Sequence, residues 1–79
     1  MTRKELTEIL RESDYWEENG NSVVTEFEST ESDVNLILEQ TKLTVQVTEV
    51  FSVSMNYNEV DYSEETGNLM IRKRGCLWI

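Results

Sequence analysis

The chain has 79 residues, with 16 acidic and 7 basic side chains, no histidine and a formal net charge of -9. That length holds one domain, spanning residues 1–79, and so short a chain buries only about 60–65% of the surface it would expose unfolded. A field of this sign repels nucleic acid and anionic membranes and attracts basic protein faces, while the lack of histidine removes the usual general base near neutral pH.

The charge is unevenly spread. Residues 12–65 carry fourteen carboxylates and a single basic side chain, Lys42, a local charge of -13. The one cysteine, Cys76, excludes an intrachain disulfide and fits a reducing cytoplasm. No run approaches the ~20 apolar residues of a membrane span, and residues 1–16 are charged and amphipathic rather than signal-like.

Thr2 and Glu5 form a T-x-x-E capping box. Leu6, Ile9, Leu10 and Trp16 follow on one helical stripe, opposite Glu8, Arg11, Glu12 and Glu18. The pattern predicts a helix over residues 3–16, ended by Asn19, Gly20 and Asn21. Residues 22–28 read as a strand, with Val23, Thr25 and Phe27 on one face and Val24, Glu26 and Glu28 on the other. A polar loop over residues 29–32 comes next.

Residues 33–39 admit two readings. Val34, Leu36 and Leu38 alternate as in a strand, whereas Thr30 or Asp33 could cap a short helix with Val34, Ile37 and Leu38 inward. The strand is favoured because the following segment offers a matching partner. Pairing Leu38 with Leu43, Leu36 with Val45 and Val34 with Val47 puts both apolar sets on one face, around a turn of Glu39, Gln40, Thr41 and Lys42.

Leu43, Val45, Val47, Phe51, Val53, Met55 and Tyr57 then occupy odd positions, while Thr44, Gln46, Thr48, Ser52, Ser54, Asn56 and Asn58 are polar and uncharged. One straight strand of that length would span ~50 Å, too long for this domain. It is expected to bend at Thr48, Glu49 and Val50, through a bulge. The phase shifts near Asn58 and Glu59, since Val60 and Tyr62 are even-numbered. Glu64, Glu65, Thr66 and Gly67 then make a turn that pairs Tyr62 with Leu69 and Val60 with Ile71. A last strand covers residues 69–74, and residues 75–79 continue it or form an apolar tail. The sum is an α+β chain: an N-terminal helix packed on a small, mainly antiparallel sheet of four to five strands.

No residue set is equipped for catalysis. Ser and Thr lack an activating His, and Cys76, close to Arg72, Lys73 and Arg74, lacks a base partner. The expectation is therefore a protein that is not an enzyme and takes no cofactor. Asn19, Gly20 and Glu26 match three positions of a calcium loop, but Tyr15 at position one cannot supply the required carboxylate and Glu17 is a poor fit at position three, so no metal site is expected. Arg72, Lys73 and Arg74 read as counter-charges to Glu59 and Asp61 across a strand pair. Cys76-Leu77-Trp78-Ile79 has the outline of a prenylation box with a poor third residue. Its apolar members read better as core or as a subunit interface.

The carboxylate belt is the remaining feature. Glu12, Asp14, Glu17, Glu18, Glu59, Asp61, Glu64 and Glu65 are its candidate partner-binding residues, with Trp16, Tyr57 and Tyr62 as aromatic anchors beside them. Tyr15 and Trp78 are further aromatics of the same kind. In charge and size the chain resembles small acidic phage proteins that block host nucleic-acid enzymes, including anti-CRISPR and anti-restriction proteins. The resemblance covers composition and no motif. It implies a cytoplasmic, non-enzymatic inhibitor, acting in the host cytoplasm if phage-encoded. Such a protein binds a basic protein surface, that of a nucleic-acid-binding enzyme, by mimicking DNA, with no direct contact to nucleic acid or membrane. Three other readings stand beside it: a structural or adaptor module that forms a homodimer through its uncharged strand face, an immunity protein against a basic toxin, and a belt that only solubilises.

Overall fold

The computed structural model describes residues 1–20, 25–47, 51–72 and 77–78, the last two by backbone alone. Helix α1 (Arg3–Glu12) starts at the expected capping box. The Thr2 side chain accepts from the Glu5 backbone N–H at 3.2 Å, and the Glu5 carboxylate accepts from the Thr2 N–H at 3.3 Å. Eight strands follow among the described residues: β1 (Trp16–Asn19), β2 (Thr25–Ser29), β3 (Val34–Leu38), β4 (Lys42–Val47), β5 (Phe51–Asn56), β6 (Val60–Ser63), β7 (Asn68–Ile71) and β8 (Leu77–Trp78). A 3-10 turn, Tyr57–Glu59, joins β5 to β6.

The strands form two antiparallel sheets in sequence order, β1-β2-β3-β4-β5 and β6-β7-β8. The expected helix on an antiparallel sheet is therefore present, and a second sheet of three strands accompanies it. Leu38↔Leu43, Leu36↔Val45 and Val34↔Val47 pair as the alternation requires. Tyr62↔Leu69 and Val60↔Ile71 do so too, around a turn in which Gly67 has a φ of 71° and donates its N–H to the Ser63 carbonyl at 2.8 Å. That left-handed φ suits a residue without a Cβ.

Four expectations are corrected. The helix stops at Glu12, not residue 16: Ser13 caps it, and the Ser13 hydroxyl accepts from the Tyr15 N–H at 3.1 Å, diverting the backbone into a local turn. Trp16 instead opens β1, a strand absent from the expected set, and reaches the core from there. Asn19 accordingly ends a strand and Gly20 follows it, and Asn21 lies outside the described residues. The run over residues 43–57 is not one bent strand. It is the hairpin β4–β5, with Val47↔Phe51, Val45↔Val53 and Leu43↔Met55 in register; Thr48, Glu49 and Val50 lie outside the described residues. Finally, the C-terminal segment neither extends β7 nor trails away. Leu77 and Trp78 return antiparallel beside it, pairing with Ile71 and Met70. Val23 and Val24, the strand extension to Lys73 and Arg74, and the roles expected of Cys76 and Ile79 also fall outside the described residues.

One core serves both sheets. Leu6 and Leu10 of α1 meet Trp16, Phe27, Val34, Leu36, Leu38, Leu43, Val45 and Met55 of the larger sheet and Val60, Leu69 and Ile71 of the smaller. Ile9 is only half-buried, and Thr7 takes the inward place beside Leu6, its hydroxyl donating to the Arg3 carbonyl at 2.7 Å. Arg3 ties the start of α1 to the large sheet: its Nε donates to the Leu38 carbonyl at 3.2 Å and a terminal nitrogen to the Thr25 hydroxyl at 3.3 Å.

Tyr57 sits at the corner between the sheets. Only 8% of it is exposed, and its hydroxyl donates to the Glu39 carbonyl. Burial pushes the phenol above its ordinary value, against the opposing pull of the nearby Arg3 guanidinium. The folded chain therefore holds this proton to higher pH than the unfolded chain. The stability it supplies is complete below the ordinary tyrosine value and is lost as pH climbs through the raised one. Two outcomes follow. Leu36→Ala, at a fully buried central-strand position, should cost about 2–5 kcal/mol in urea unfolding. Tyr57→Phe should cost about 0.5–1.5 kcal/mol at neutral pH, and its alkaline unfolding should begin at higher pH than that of the parent chain.

Candidate functional site

A cleft of about 310 Å³ opens between the end of α1, the connection to β1 and the hairpin β6–β7. Ile9, Glu12, Ser13, Asp14, Tyr15, Tyr62 and Glu64 line it. The fold thus brings together four of the expected site residues: Glu12, Asp14, Tyr62 and Glu64. Helix geometry places Glu12 in the last turn of α1, where the macrodipole carries its negative end. Asp14 follows two residues later, and Glu64 comes from the exposed β6–β7 turn. The dipole adds to the carboxylates rather than offsetting them.

None of these three carboxylates forms an ion pair among the described residues. The nearest basic residue in sequence, Arg11, is engaged elsewhere. Its Nε and a terminal nitrogen grip the Glu18 carboxylate in a fork, both at 2.9 Å. That pairing holds the Glu18 carboxyl below its usual range, chiefly through the hydrogen bond. Both partners are well exposed, so the pair adds little to stability.

The cleft walls are held by uncharged groups. The Ser13 and Tyr62 hydroxyls share a hydrogen bond at 3.0 Å. The Tyr15 carbonyl accepts from the Thr30 N–H at 3.0 Å and from its hydroxyl at 3.2 Å. The Tyr15 ring lies over Gly67, so close that a Cβ at that position would fall 2.5 Å from the ring. On the other side of Tyr15, a smaller crevice of about 110 Å³ is lined by Trp16, Ser29, Glu31, Ser32, Thr66 and Asn68 as well.

The other expected site residues lie elsewhere. Trp16 is 6% exposed and Tyr57 8%, so both aromatics are core residues and not surface anchors. The correction has a simple cause: a large aromatic beside acids reads the same in sequence whether it points in or out. Trp16 Nε1 is buried without a hydrogen-bond partner among the described residues. Asp61 pairs with Arg72, the counter-charge expected of that residue, and the Arg72 N–H donates to the Glu59 carbonyl at 2.8 Å. Glu59 is partly buried, with Oε2 enclosed. Glu65 is exposed on the turn beyond the cleft. Glu17 lies on β1 directly opposite Glu28 of β2, a like-charge pair that costs stability. Ser13 and Ile9 are the cleft residues that sequence reasoning missed. The short Ser-x-Tyr spacing, a local side-chain-to-backbone turn, was the available signal for Ser13.

Among the described residues no three His, Cys, Asp or Glu side chains converge as a metal-ligand set, and no helix is long and apolar enough to cross a membrane. No protein family, curated protein or solved structure matches the chain.

Gly67→Ala tests the cleft wall. A side chain at a left-handed φ costs about 1–2 kcal/mol, and here the new methyl group also displaces the Tyr15 ring. A melting temperature lowered by several degrees, with altered Tyr15 ring resonances in NMR spectra, is the expected result.

Proposed function

We propose that the protein is a small acidic binding protein, not an enzyme, that occupies a basic groove on a nucleic-acid-processing protein in the cytoplasm and takes the place of DNA there. One observation carries the reading: Glu12, Asp14 and Glu64 converge on a cleft beside Tyr15 and Tyr62 with no cation of their own among the described residues. Lys and Arg side chains that ordinarily meet phosphates would find carboxylate acceptors here, with aromatic faces beside them for guanidinium stacking. Duplex DNA presents one phosphate per ~1.7 Å of axis, and carboxylates held around the cleft would compete for the same basic groups.

Glu17 and Glu28 support the reading from a second direction. Two like charges placed opposite each other in a sheet reduce stability by a few tenths of a kcal/mol or more, and solubility alone does not require that placement. Their summed field would steer a basic partner toward the acidic side of the molecule.

The test is capture from a bacterial lysate on immobilised protein. Nucleic-acid-binding proteins should be retained at ~0.1 M salt and released at ~1 M, as the Debye length shrinks from ~10 to ~3 Å. Added duplex DNA should release them as well. The combined change Glu12→Lys, Asp14→Lys and Glu64→Lys should slow association at least about tenfold at low salt. Capture that ignores both salt and DNA would rule the reading out.

A further inference from the structure

Tyr15 is the partition between two recesses. It lines the 310 Å³ cleft and also the 110 Å³ crevice. Its backbone is pinned: the N–H donates to the Ser13 hydroxyl at 3.1 Å, and the carbonyl accepts twice from Thr30. Its side chain is not. The residue is 36% exposed, and its phenol forms no hydrogen bond among the described residues. The ring rests on Gly67, which has no Cβ to hold it. An exposed side chain without a polar anchor exchanges rotamers quickly.

The crevice contains an unanswered donor. Trp16 lines it and is only 6% exposed, and its enclosed indole Nε1–H has no acceptor among the described residues. A buried indole N–H ordinarily finds one. Because Nε1 is shut off from solvent, an acceptor reaches it only when a neighbouring wall moves, and the Tyr15 side chain is free to do so. The lining also says which acceptor fits. Glu31 stands in the crevice, and Glu12, Asp14 and Glu64 stand in the cleft, so a phosphate or carboxylate would be repelled. A peptide carbonyl would not.

We infer that cleft and crevice are two halves of one peptide-binding groove, and that an arginine-bearing segment of the basic partner occupies both. Its guanidinium sits among Glu12, Asp14 and Glu64. Its main-chain carbonyl accepts from Trp16 Nε1 once the Tyr15 ring has turned off Gly67. The two recesses share Tyr15 as a wall, and a single arginine side chain spans the width of one ring. A planar guanidinium suits the cleft better than an ammonium group, because it forks onto carboxylates and stacks on an aromatic face. Tyr62 offers that face, held by its hydrogen bond to Ser13. The basic nature of the occupant rests on the proposed function; the gate at Tyr15 does not.

NMR titration of the full, isotope-labelled chain with acetyl-Gly-Arg-Gly-amide at low salt tests the inference. The amides of Glu12, Asp14 and Glu64 and the Trp16 indole N–H should shift along one binding curve, the indole proton downfield. Contacts between the Tyr15 ring and Gly67 should disappear on the same curve. Acetyl-Gly-Lys-Gly-amide should bind several-fold more weakly. Gly67→Ala displaces the ring and Tyr15→Ala removes it. In both, the indole N–H of the free chain should exchange with solvent at least about tenfold faster, while the amides of Leu36 and Val45 keep their protection. Cleft amides that shift while the Trp16 indole stays still would overturn the inference and leave the proposed function standing. An arginine peptide that does not bind, a lysine peptide that binds equally well, or unchanged indole exchange in both variants would overturn it too. Peptide binding as described, without capture of any basic protein from lysate, would uphold the groove and sink the proposed function alone.

Discussion

Cross-strand register is the constraint on which the rest of this molecule depends. Phe27, Leu36, Val45 and Val53 form one row across four strands, and Thr25, Leu38, Leu43 and Met55 form the next. A slip of one residue in any pairing would turn a whole apolar set toward water and bring Glu26, Asn35 or Gln46 inward. The rows also give α1 part of its seat, since Leu6 and Leu10 join the same buried cluster. In a chain this small, each fully buried Leu is worth roughly 1.5–3 kcal/mol, a large share of a total stability of only about 5–15 kcal/mol.

Charge is arranged around that core rather than scattered over it. The β3–β5 half of the large sheet is free of carboxylates, so the acids gather on β1, β2, the end of α1 and the β6–β7 hairpin. Three cations are paired locally, Arg11 with Glu18, Lys42 with Glu39 and Arg72 with Asp61, and among the described residues Glu12, Asp14 and Glu64 are left without an ion pair.

Sequence reasoning reached the β3–β4 and β6–β7 pairings residue by residue, because a period of two and a matching partner constrain register tightly. It failed where two structures share one pattern. A three-residue connection keeps paired positions odd with odd, so the alternation of β4 ran into β5 without a break, and no Gly, Pro or Asn at Thr48, Glu49 and Val50 marked a turn. The parity change at Asn58 and Glu59 was legible because the 3-10 turn does shift the phase. Trp16 fitted a helical stripe by spacing alone, and only the Ser13 hydroxyl, acting on its own backbone, shows why the helix stops short. Of the site, the acids were visible as a belt. Which of them lacks a partner depended on where Arg11 and Arg72 reached, and that is a matter of tertiary geometry.

The connectivity itself has a kinetic meaning. Among the described residues every strand pairs with a neighbour in the chain, and β5 and β6, which fall in different sheets, are the one consecutive couple that does not. Closing the short loops of such hairpins costs little chain entropy, so each hairpin can zip up before distant segments meet. The contacts that must span the sequence are few: α1 and Arg3 against the large sheet, Tyr15 against Gly67, and Tyr57 at the corner. With no proline in the chain, no slow prolyl isomerisation stands in the way of their docking. Assembly then becomes a local process closed by a handful of long-range latches, and it is those latches, rather than the ladders, that decide when the chain is folded.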